Sequence, residues 1–396
     1  MRYRKILHID LDAFFCSVEE LLDPSLQGMA FATGGSADRR GVVTSCSYAA
    51  RKLGIHSAMP MKSALQKVPG LKVVQGHYGK YQYYSQQVMA ILEDTTPLVK
   101  QISIDEAFID VTDMPQPACS IARLLQKRIR QEVGLPCSIG VASNMLVAKI
   151  ATNIAKSSYR GDQSPQAILE VPGGTEAGFL SNLPIDELWG IGKKSAVAFS
   201  LMGIKTIGDL AVQSDEFLEQ QVGRFAQTLK QRALGMDERP VGLEEDIKSV
   251  SNEITFDQDV RDEEEIINTL RYLSEKVAFR LRKQGLGGKT IRLKIRWPNF
   301  ETHTRQFSLS QPTNHDTVIL NTSVSLLHEI WKQDKKVRLL GVAVAGLSSE
   351  MQQLSFLDED YQKEHQLLLA MDDLKARFGR EVIKRGWEYH SRDQRD

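Results

Sequence analysis

SIDEAFIDV, at residues 103–111, is the most informative stretch of this sequence for the fold, and it lies within LVKQISIDEAFIDV (98–111). Apolar residues flank two consecutive acids, Asp105 and Glu106, which predicts two strands around a turn. Neighbouring side chains on a regular strand point to opposite faces, so both acids can reach one site only at a turn or bulge. The stretch therefore predicts a hairpin with two carboxylates at its turn.

A second acidic stretch, KILHIDL at residues 5–11, predicts a buried strand that ends in carboxylates. Side chains alternate along a strand, so Asp10 and Asp12 share one face. Carboxylates at the end of a buried strand cost stability unless they bind something or are solvated. Asp10, Asp105 and Glu106 together suit hard cations such as Mg²⁺. Solvated acids at strand ends are the alternative.

The composition is that of a globular protein with more than one domain, since 396 residues exceed what one hydrophobic core usually supports. Basic and acidic residues balance at 50 each, so DNA binding would need a local basic surface. No apolar stretch is long enough to span a membrane, and residues 1–12 do not resemble a signal peptide. The cysteines form no CxxC pair, which predicts reduced thiols in a cytoplasmic protein; they are Cys16, Cys46, Cys119 and Cys137.

Strands alternate with helices through about residue 165, which predicts a mixed α+β domain. Hydrophobic spacing predicts a helix over 78–93 and a strongly basic one over 120–133. A strand is expected at 137–142. Ser143 is expected to cap the next helix, which runs to about Lys156.

The remainder of the chain is expected to contain further domains. Residues 172–232 form a run of short helices with glycine-rich breaks, and residues 247–258 are interpreted as a linker. Residues 260–345 have the order helix–strand–strand–helix–strand and are expected to form a separate domain. The last fifty or so residues are expected to be helix and tail.

The stretch LWGIGKKSAVAFSLMGIKTIGDL, at residues 188–210, predicts a helix–hairpin–helix unit that binds a DNA backbone. Gly190 and Gly192 let backbone N–H groups approach a phosphate, with help from the following helix N-terminus. Lys193 and Lys194 supply positive charge. A helix–turn–helix that serves only for packing is the alternative.

A basic strand is expected at KTIRLKIRW, residues 289–297. Arg292, Lys294 and Arg296 alternate with apolar residues, which predicts one apolar and one cationic face. Such a face suits the DNA backbone, and Arg305 on the next strand is expected to extend it. An ordinary solvated sheet face is the alternative.

The sequence as a whole resembles the Y-family translesion DNA polymerases, and its nearest branch is that of the bacterial DNA polymerase IV (DinB-like) proteins. The resemblance runs in order from about residue 4 to 345, and four strings carry it: HIDLDAFFCSVEE (8–20), YAARKLGI (48–55), SIDEAFIDV (103–111) and GVASNMLVAKIATNIAK (140–156).

The resemblance implies an α+β multidomain fold shaped as a right hand, with one segment of the chain for each part. These are the palm (1–10 and 78–165), the fingers (11–77), a helical thumb with the helix–hairpin–helix unit (166–240), a linker (241–258), a little finger (259–345) and a C-terminal tail (346–396).

The resemblance also implies the residues that carry the chemistry. Asp10, Asp105 and Glu106 match the family's metal ligands, and the backbone carbonyl of Leu11 is a further expected ligand. Glu106 is the expected catalytic residue. Two Mg²⁺ ions are implied as cofactors, with Mn²⁺ as an alternative ion.

The incoming nucleotide is implied to contact a second set of residues. Phe15 matches the family's steric gate, which excludes a ribose 2′-OH by shape, and Phe14 is expected beneath the sugar or, alternatively, in the helix core. The triphosphate is implied to contact a hydroxyl donor, a guanidinium fork and an ammonium group; these are Tyr48, Arg51 and Lys156, with Ser45 as a further donor.

Two features near these residues are less regular. The family commonly has Lys-Pro-Asn-Gly where this chain has Lys156-Ser157-Ser158-Tyr159, which leaves the turn after Lys156 open. Lys149 lies seven residues before Lys156 and hence on the same helix face, where it either has a function or is solvated.

Partners are implied as well: primer–template DNA, a deoxynucleoside triphosphate (dNTP) and a sliding clamp, with no membrane and a monomeric state. The clamp would bind the peptide QQLSFL, residues 352–357, whose expected contacts are Gln353, Leu354, Phe356 and Leu357.

The resemblance implies a low-fidelity, lesion-bypassing polymerase without proofreading. A DNA-binding accessory protein without catalysis is disfavoured, because all three acids are present. The polymerase V catalytic subunit is a closer alternative, and the stretch GGSADRRGVVTSCSYAARKLGI disfavours it. A nucleotide cyclase with a related palm is disfavoured by the helix–hairpin–helix unit and the basic strand.

Overall fold

The structure is a computed structural model that describes residues 3–161, 163–242, 246–332, 335–349, 359–379 and 382–383. The chain divides into two compact units, residues 1–244 and residues 245–396. Each unit is built on its own sheets and is described by itself.

The first unit begins with a strand, followed by a small α/β segment. Two 3-10 turns, Pro24–Leu26 and Ala37–Arg39, interrupt this part. Its elements are β1 (Ile6–Leu11), α1 (Phe14–Leu22), β2 (Phe31–Gly34), β3 (Val43–Cys46), α2 (Tyr48–Lys52), α3 (Met61–Lys67) and β4 (Lys72–Val74).

The chain then adds the helices and strands that surround β1. These are α4 (Tyr78–Thr95), β5 (Val99–Gln101), β6 (Glu106–Asp110), α5 (Ala118–Glu132), β7 (Cys137–Ala142), α6 (Met145–Ser158) and β8 (Ile168–Glu170). The strands expected at 5–11 and 137–142 and the helices expected at 78–93 and 120–133 are confirmed within two residues at each end.

The main sheet of this unit has the order β5-β6-β1-β7-β8, and β2, β3 and β4 form a second sheet in the order β3-β2-β4. In the main sheet every pair is antiparallel except β7–β8. Leu7 and Ile9 of β1 pack in one core with α4 and α5, whereas Ile6 packs in another core with α6. The sheet is therefore covered on both faces.

Helix α6 lies unusually close to β7, because small residues face each other there. A Cβ atom at Gly140 would lie 2.0 Å from the backbone oxygen of Ala148 and 2.6 Å from Oγ1 of Thr152. Ala148 and Ala151 are fully buried in this contact. The close approach brings the polar side chains of α6 within reach of the sheet.

The next segment is helical and comprises α7 (Glu176–Ser181), α8 (Lys193–Leu201), α9 (Ile207–Ala211), α10 (Asp215–Val222) and α11 (Ala226–Ala233). Further 3-10 turns lie at Ile185–Glu187 and Gly223–Phe225. A single 3-10 turn, preceded by Pro184, thus lies before the Gly190 hairpin, where the sequence predicts a helix.

The second unit contains a four-stranded antiparallel sheet of order β11-β10-β12-β9. Its helices α12 and α13 bury their apolar sides against Ile291, Leu293 and Ile295 of the sheet. The elements are β9 (Ser249–Val260), α12 (Glu263–Lys283), β10 (Leu286–Arg296), β11 (Thr302–Thr313), α13 (Asp316–Ile330), β12 (Val337–Ser349) and α14 (Glu359–Phe378). The predicted order helix–strand–strand–helix–strand is confirmed.

Two predicted boundaries are wrong. Residues 249–258 are not a linker, because β9 pairs along β12, with Val250 opposite Val344 and Ile254 opposite Leu340. Polar residues between those apolar ones obscure the strand pattern. Residues 168–170 do not belong to the helical segment that was expected to begin at 166, because β8 pairs with β7 in the main sheet.

Helix α6 is capped by Asn144 rather than by Ser143. The Asn144 side chain accepts a hydrogen bond from the backbone N–H of Val147 at 3.0 Å. The Ser143 hydroxyl instead donates to the carboxylate of Glu176 at 2.5 Å. Both residue types favour this position, so their order along the chain did not decide between them.

Two further expectations concern the end of the chain and membranes. The expected clamp-binding residues Gln353, Leu354, Phe356 and Leu357 lie outside the described residues. Within the part that is described, no helix has the length and apolar character needed to cross a membrane.

Candidate active site

The three predicted metal-binding carboxylates meet where β1 lies beside the β5–β6 hairpin. Asp10 is directly opposite Glu106 in the antiparallel register of β1 and β6. One residue further, the N–H of Leu11 donates to the backbone oxygen of Asp105 at 2.9 Å. The turn between the strands thus presents two consecutive acids to one strand end, as the sequence predicts.

Glu106 is held by two basic side chains. Nε2 of His8 lies 3.1 Å from its Oε2, and the Lys149 ammonium group donates to the same oxygen. These interactions with His8 and Lys149 lower the pKa of Glu106 to about 2, against an opposing effect of burial. Glu106 is therefore ionised at neutral pH, and Lys149 is not on a solvated helix surface.

Asp105 has the opposite electrostatic setting. Burial raises its pKa above the ordinary value, and the nearby charges of Asp10 and Glu106 raise it further. A hydrogen bond from the Ser103 hydroxyl, at 2.5 Å, opposes this effect. Asp105 is thus a carboxylate whose ionised form a cation would stabilise.

Lys156 bridges two acids at the end of β1. Its Nζ lies 2.6 Å from Oδ1 of Asp10 and 3.4 Å from Oδ1 of Asp12. Burial would lower the pKa of Lys156, but these carboxylates outweigh burial and raise it. The ammonium group is therefore positively charged although it is largely enclosed.

Asp12 is fully buried and fixes the surroundings of Lys156. Its carboxylate accepts hydrogen bonds from the Ser138 hydroxyl at 2.9 Å and from the backbone N–H of Gln166 at 3.0 Å. Burial raises the pKa of Asp12, while Lys156 lowers it. Gln166 adopts a φ of 44°, so this contact anchors a strained backbone position beyond α6.

Helix α2 places the expected triphosphate contacts. Ser47 caps it by accepting from the backbone N–H of Ala50 at 3.2 Å. The Tyr48 hydroxyl is buried and has no hydrogen-bond partner among the described residues. Burial raises the pKa of Tyr48 to about 12, so this hydroxyl remains a donor. Arg51 stacks over the Tyr48 ring at 4.6 Å.

Ser45 is less available than expected. It is buried in β3, opposite Thr33, whose hydroxyl donates to the Ser45 backbone oxygen at 3.4 Å. Its side chain also interacts with the Cys16 thiol. These contacts give Ser45 a structural role within the three-stranded sheet.

The two aromatic residues at the start of α1 have different environments. Phe14 is only 3% exposed and packs in the core with α4 and α5, so the core alternative holds for it. Phe15 is partly exposed and stacks on the Tyr81 ring, with centroids 4.4 Å apart and planes 28° apart. The Tyr81 hydroxyl donates to the buried Glu19 carboxylate at 2.6 Å.

The donor set fits a divalent cation in its chemistry. Asp10, Asp105 and Glu106 provide hard oxygen ligands; burial raises the pKa of Asp105, and the charges of Asp10 and Glu106 raise it further. Among the described residues, however, no group of three His, Cys, Asp or Glu side chains is arranged to hold a metal ion. Lys156 and Lys149 instead engage the oxygens of Asp10 and Glu106.

The predicted hairpin of the helical segment presents an open helix end. Gly190 has a φ of 107°, a left-handed conformation that favours glycine, and Gly192 directly precedes α8. Gly192, Lys193 and Lys194 are all exposed. Helix α8 therefore begins with solvent-facing N–H groups and two cations, as an anion site requires.

The basic strand β10 alternates basic and apolar residues as expected, but an acidic side chain lies beside its basic face, which was not expected. Arg292, Lys294 and Arg296 lie on the face opposite the buried Ile291, Leu293 and Ile295. Lys294 forms a salt bridge of 2.7 Å with Glu253 of β9. The sequence did not reveal this partner, because β9 was interpreted as a linker.

Arg305 does not extend this cationic face. It pairs with Leu293 in the β10–β11 register, so its side chain lies on the other face of the sheet. The residues of β11 that share the face of Arg292 and Lys294 are Gln306 and Thr304.

Sequence reasoning missed His8 and Thr152 as parts of this site. His8 interrupts an apolar strand on the same face as Asp10, and this alternation is the signal that could have identified it. Thr152 lies on the α6 face between Lys149 and Lys156, where it carried no distinct pattern.

Comparisons with known proteins agree with this architecture. Residues 9–153 match the model of the impB/mucB/samB family, and residues 247–356 match that of the family's C-terminal domain. The DNA polymerase IV of Dehalococcoides mccartyi strain CBDB1 is 38% identical over 99% of this chain and 100% of its own length. The DNA polymerase IV of Desulfatibacillum aliphaticivorans is 38% identical over 96% of this chain and 95% of its own.

The chain belongs to the impB/mucB/samB family. A Y-family DNA polymerase chimera of known structure, Dbh-Dpo4(243-245)-Dbh, superposes with a TM-score of 0.76 at 25% identity, over 86% of this chain and 98% of the chimera. The right-hand polymerase fold is thus confirmed, and the chain is a DNA-directed DNA polymerase of the translesion type. Its activity depends on divalent metal.

Proposed function

We propose that Asp10, Asp105 and Glu106 hold two Mg²⁺ ions and that the enzyme adds a deoxynucleoside monophosphate to a primer 3′-OH. The observation that carries this proposal is the meeting of three carboxylates from β1 and the β5–β6 hairpin beside the Lys156 ammonium group. The backbone of Leu11, already bonded to Asp105, contributes a carbonyl ligand. When bound, divalent ions activate the attacking oxygen and stabilise the leaving one; Mn²⁺ offers the same oxygen-directed chemistry.

Lys156 and Lys149 balance the negative charge of the carboxylates. They neutralise Asp10 and Glu106 in the buried site, which otherwise would carry adjacent uncompensated carboxylates. Asp10 and Glu106 would hold a divalent cation with the same oxygens that now bind the two ammonium groups. Lys156 would then contribute its positive charge to the triphosphate of the incoming dNTP.

Tyr48, Arg51 and Lys156 are proposed to bind that triphosphate. The buried Tyr48 hydroxyl lacks a partner among the described residues, which supports its use as a donor to a ligand. Arg51 adds a guanidinium fork that suits phosphate oxygens. Ser45 is not included, because its side chain is buried in the three-stranded sheet.

Phe15 is proposed to select the sugar. Its ring is held from one side by Tyr81, so it resists displacement by a ribose 2′-OH. Shape rather than hydrogen bonding provides this exclusion. Phe14 supports the site from the core.

Primer–template DNA is proposed to contact two surfaces, one in each unit. In the first unit, the start of α8 offers Gly190, Gly192, Lys193 and Lys194 to a backbone phosphate. In the second unit, the exposed face of β10 offers Arg292, Lys294 and Arg296. Both surfaces are proposed to bind the DNA backbone rather than base edges.

The domain assignment is proposed in corrected form. The main five-stranded sheet is the palm, the three-stranded sheet the fingers, the helical segment 176–233 the thumb, and the unit from β9 to β12 the little finger. A monomeric, cytoplasmic enzyme of low fidelity without proofreading remains the expectation, as does binding of a sliding clamp to residues 353–357. Capture of that peptide by a purified clamp, lost on Leu354→Ala, is the corresponding test.

Primer extension by Asp105→Ala tests the metal site. We expect its rate to fall by at least about 100-fold, because the variant removes a ligand from the reacting centre. Primer–template affinity should stay within about twofold. The matched control is Asp113→Ala, which removes an exposed acid from the same unit. Wild-type extension should stop with a chelator and return with Mg²⁺; normal extension by Asp105→Ala would overturn the proposal.

A further inference from the structure

We infer that His8 is a positioning residue for DNA synthesis, which holds the Glu106 carboxylate through Nε2 in an orientation that Thr152 fixes. This inference rests on the proposed role of Glu106 at the reacting centre. It concerns a residue that lies outside the carboxylate set and the nucleotide contacts described above.

His8 is placed for this role by the geometry of β1. It lies two residues before Asp10, so both side chains point to the α6 face of the sheet. Its ring is fully buried and packs on Phe108, with centroids 4.6 Å apart. The ring therefore has little freedom to rotate away from Glu106.

Both ring nitrogens of His8 have a partner, and the two partners differ in kind. Nε2 lies 3.1 Å from Oε2 of Glu106, and Nδ1 lies 2.9 Å from Oγ1 of Thr152. An ionised carboxylate only accepts hydrogen bonds, so the ring must carry a proton on Nε2. In the neutral ring Nδ1 then accepts from the Thr152 hydroxyl, and this assignment follows from the network.

Thr152 holds the other edge of the His8 ring from α6. Its hydroxyl is fully buried and carries one proton, so donation to Nδ1 of His8 competes with donation to the backbone oxygens of Ala148 at 3.0 Å and His8 at 3.3 Å. The Gly140 contact described above keeps this part of α6 close to the sheet. Helix α6, His8 and Glu106 thus form one connected set.

The consequence for Glu106 is that its carboxylate is bound on one side. His8 and Lys149 both donate to Oε2, and among the described residues no hydrogen bond to Oε1 is present. Oε1 is therefore the oxygen that is free to act at the reacting centre. Partners that orient a metal-binding carboxylate in this way typically affect metal affinity or activity by about 10- to 100-fold.

The simpler explanation is that His8 is only a satisfied core residue. If that were so, both amide substitutions of His8 would lower the stability of the fold, and neither ring nitrogen would matter more for activity. A pair of amide variants separates the two explanations. The side-chain nitrogen in His8→Gln is as many bonds from Cα as Nε2 and can reach Glu106, whereas in His8→Asn it corresponds to Nδ1 and reaches only towards Thr152.

The experiment measures single-turnover primer extension by His8→Gln, His8→Asn and Thr152→Val, with thermal unfolding of each variant. We expect the maximal single-turnover rate to fall by about 10- to 100-fold in His8→Asn and by less than about threefold in His8→Gln. The apparent Kd for dNTP should stay within about threefold in both, since the triphosphate contacts are untouched. Thr152→Val should fall between the two.

A second measurement avoids turnover altogether. With a primer that lacks the 3′-OH, the Mn²⁺ concentration that supports half-maximal dNTP binding should rise about tenfold in His8→Asn and remain close to wild type in His8→Gln. The inference would be overturned if both amide variants lost extension rate equally and in proportion to their loss of thermal stability. Unchanged extension and Mn²⁺ dependence in His8→Asn would also overturn it.

Glu106→Ala serves as the reference that keeps the two proposals apart. If Glu106→Ala extends primers normally, the proposed role of Glu106 is wrong. If Glu106→Ala is inactive while His8→Asn behaves as wild type, only the role of His8 is wrong.

Discussion

Each of the two units of this polymerase has a sheet with a charged face, and the two faces differ in how far they are covered. In the first unit, Asp10 and Glu106 lie under α6 and are paired with ammonium groups in a largely buried site. In the second unit, Arg292 and Arg296 lie on a sheet face that none of the described helices covers, and their contacts with Gln306 and Thr302 are exposed.

Burial decides what each face can do. In the covered site, desolvation and near neighbours change the pKa of Asp105 in one direction and that of Glu106 in the other. Such groups have fixed positions and strong interactions, as catalysis requires. On the open face, water and salt screen the charges, which suits reversible attachment to a polyanion of any sequence.

Among substitutions around the nucleotide, Lys156→Met should have a larger effect on dNTP use than Phe15→Ala. The variant removes the charge that bridges Asp10 and Asp12. It also removes the proposed charge-assisted contact of Lys156 with the triphosphate. We expect the KM for dNTP to rise by about 10- to 100-fold. Steady-state extension measures it, and Lys62→Met, an exposed lysine of α3, is the matched control. Equal KM values in the two variants would contradict the assignment.

Phe15→Ala should change sugar selectivity more than rate, because the Phe15 ring packs on other aromatic rings and carries no charge. Ribonucleotide incorporation relative to deoxyribonucleotide incorporation should increase by about 10- to 100-fold, since the space of the ring becomes free. The rate with dNTP should fall only a few-fold. Competition between the two nucleotides on one primer measures the ratio, and unchanged sugar selection would remove Phe15 from the gate role.

Much of the first unit could be predicted from the sequence, because its signals are local. The alternation in β1 and the consecutive acids of the hairpin indicated both strand faces, and the register of Asp10 with Glu106 agrees with that prediction. The helix expected to run to about Lys156 is likewise present as α6.

The misses were properties that depend on pairing between distant segments. β9 has polar residues between its apolar ones, and it became recognisable only through its partner β12. The face of Arg305 depends on the register of β11, which no local pattern sets. The bond between His8 and Glu106 joins residues 98 positions apart.

One pair of variants tests the central claim, that the covered face performs the chemistry and the open face only attaches DNA. Glu106→Gln and Glu253→Gln each remove an acid that is paired with a lysine, one on each sheet. We predict that single-turnover extension at saturating DNA and dNTP falls by about 100- to 1,000-fold in Glu106→Gln. In Glu253→Gln it should stay within about twofold. Comparable rates in the two variants would contradict the account.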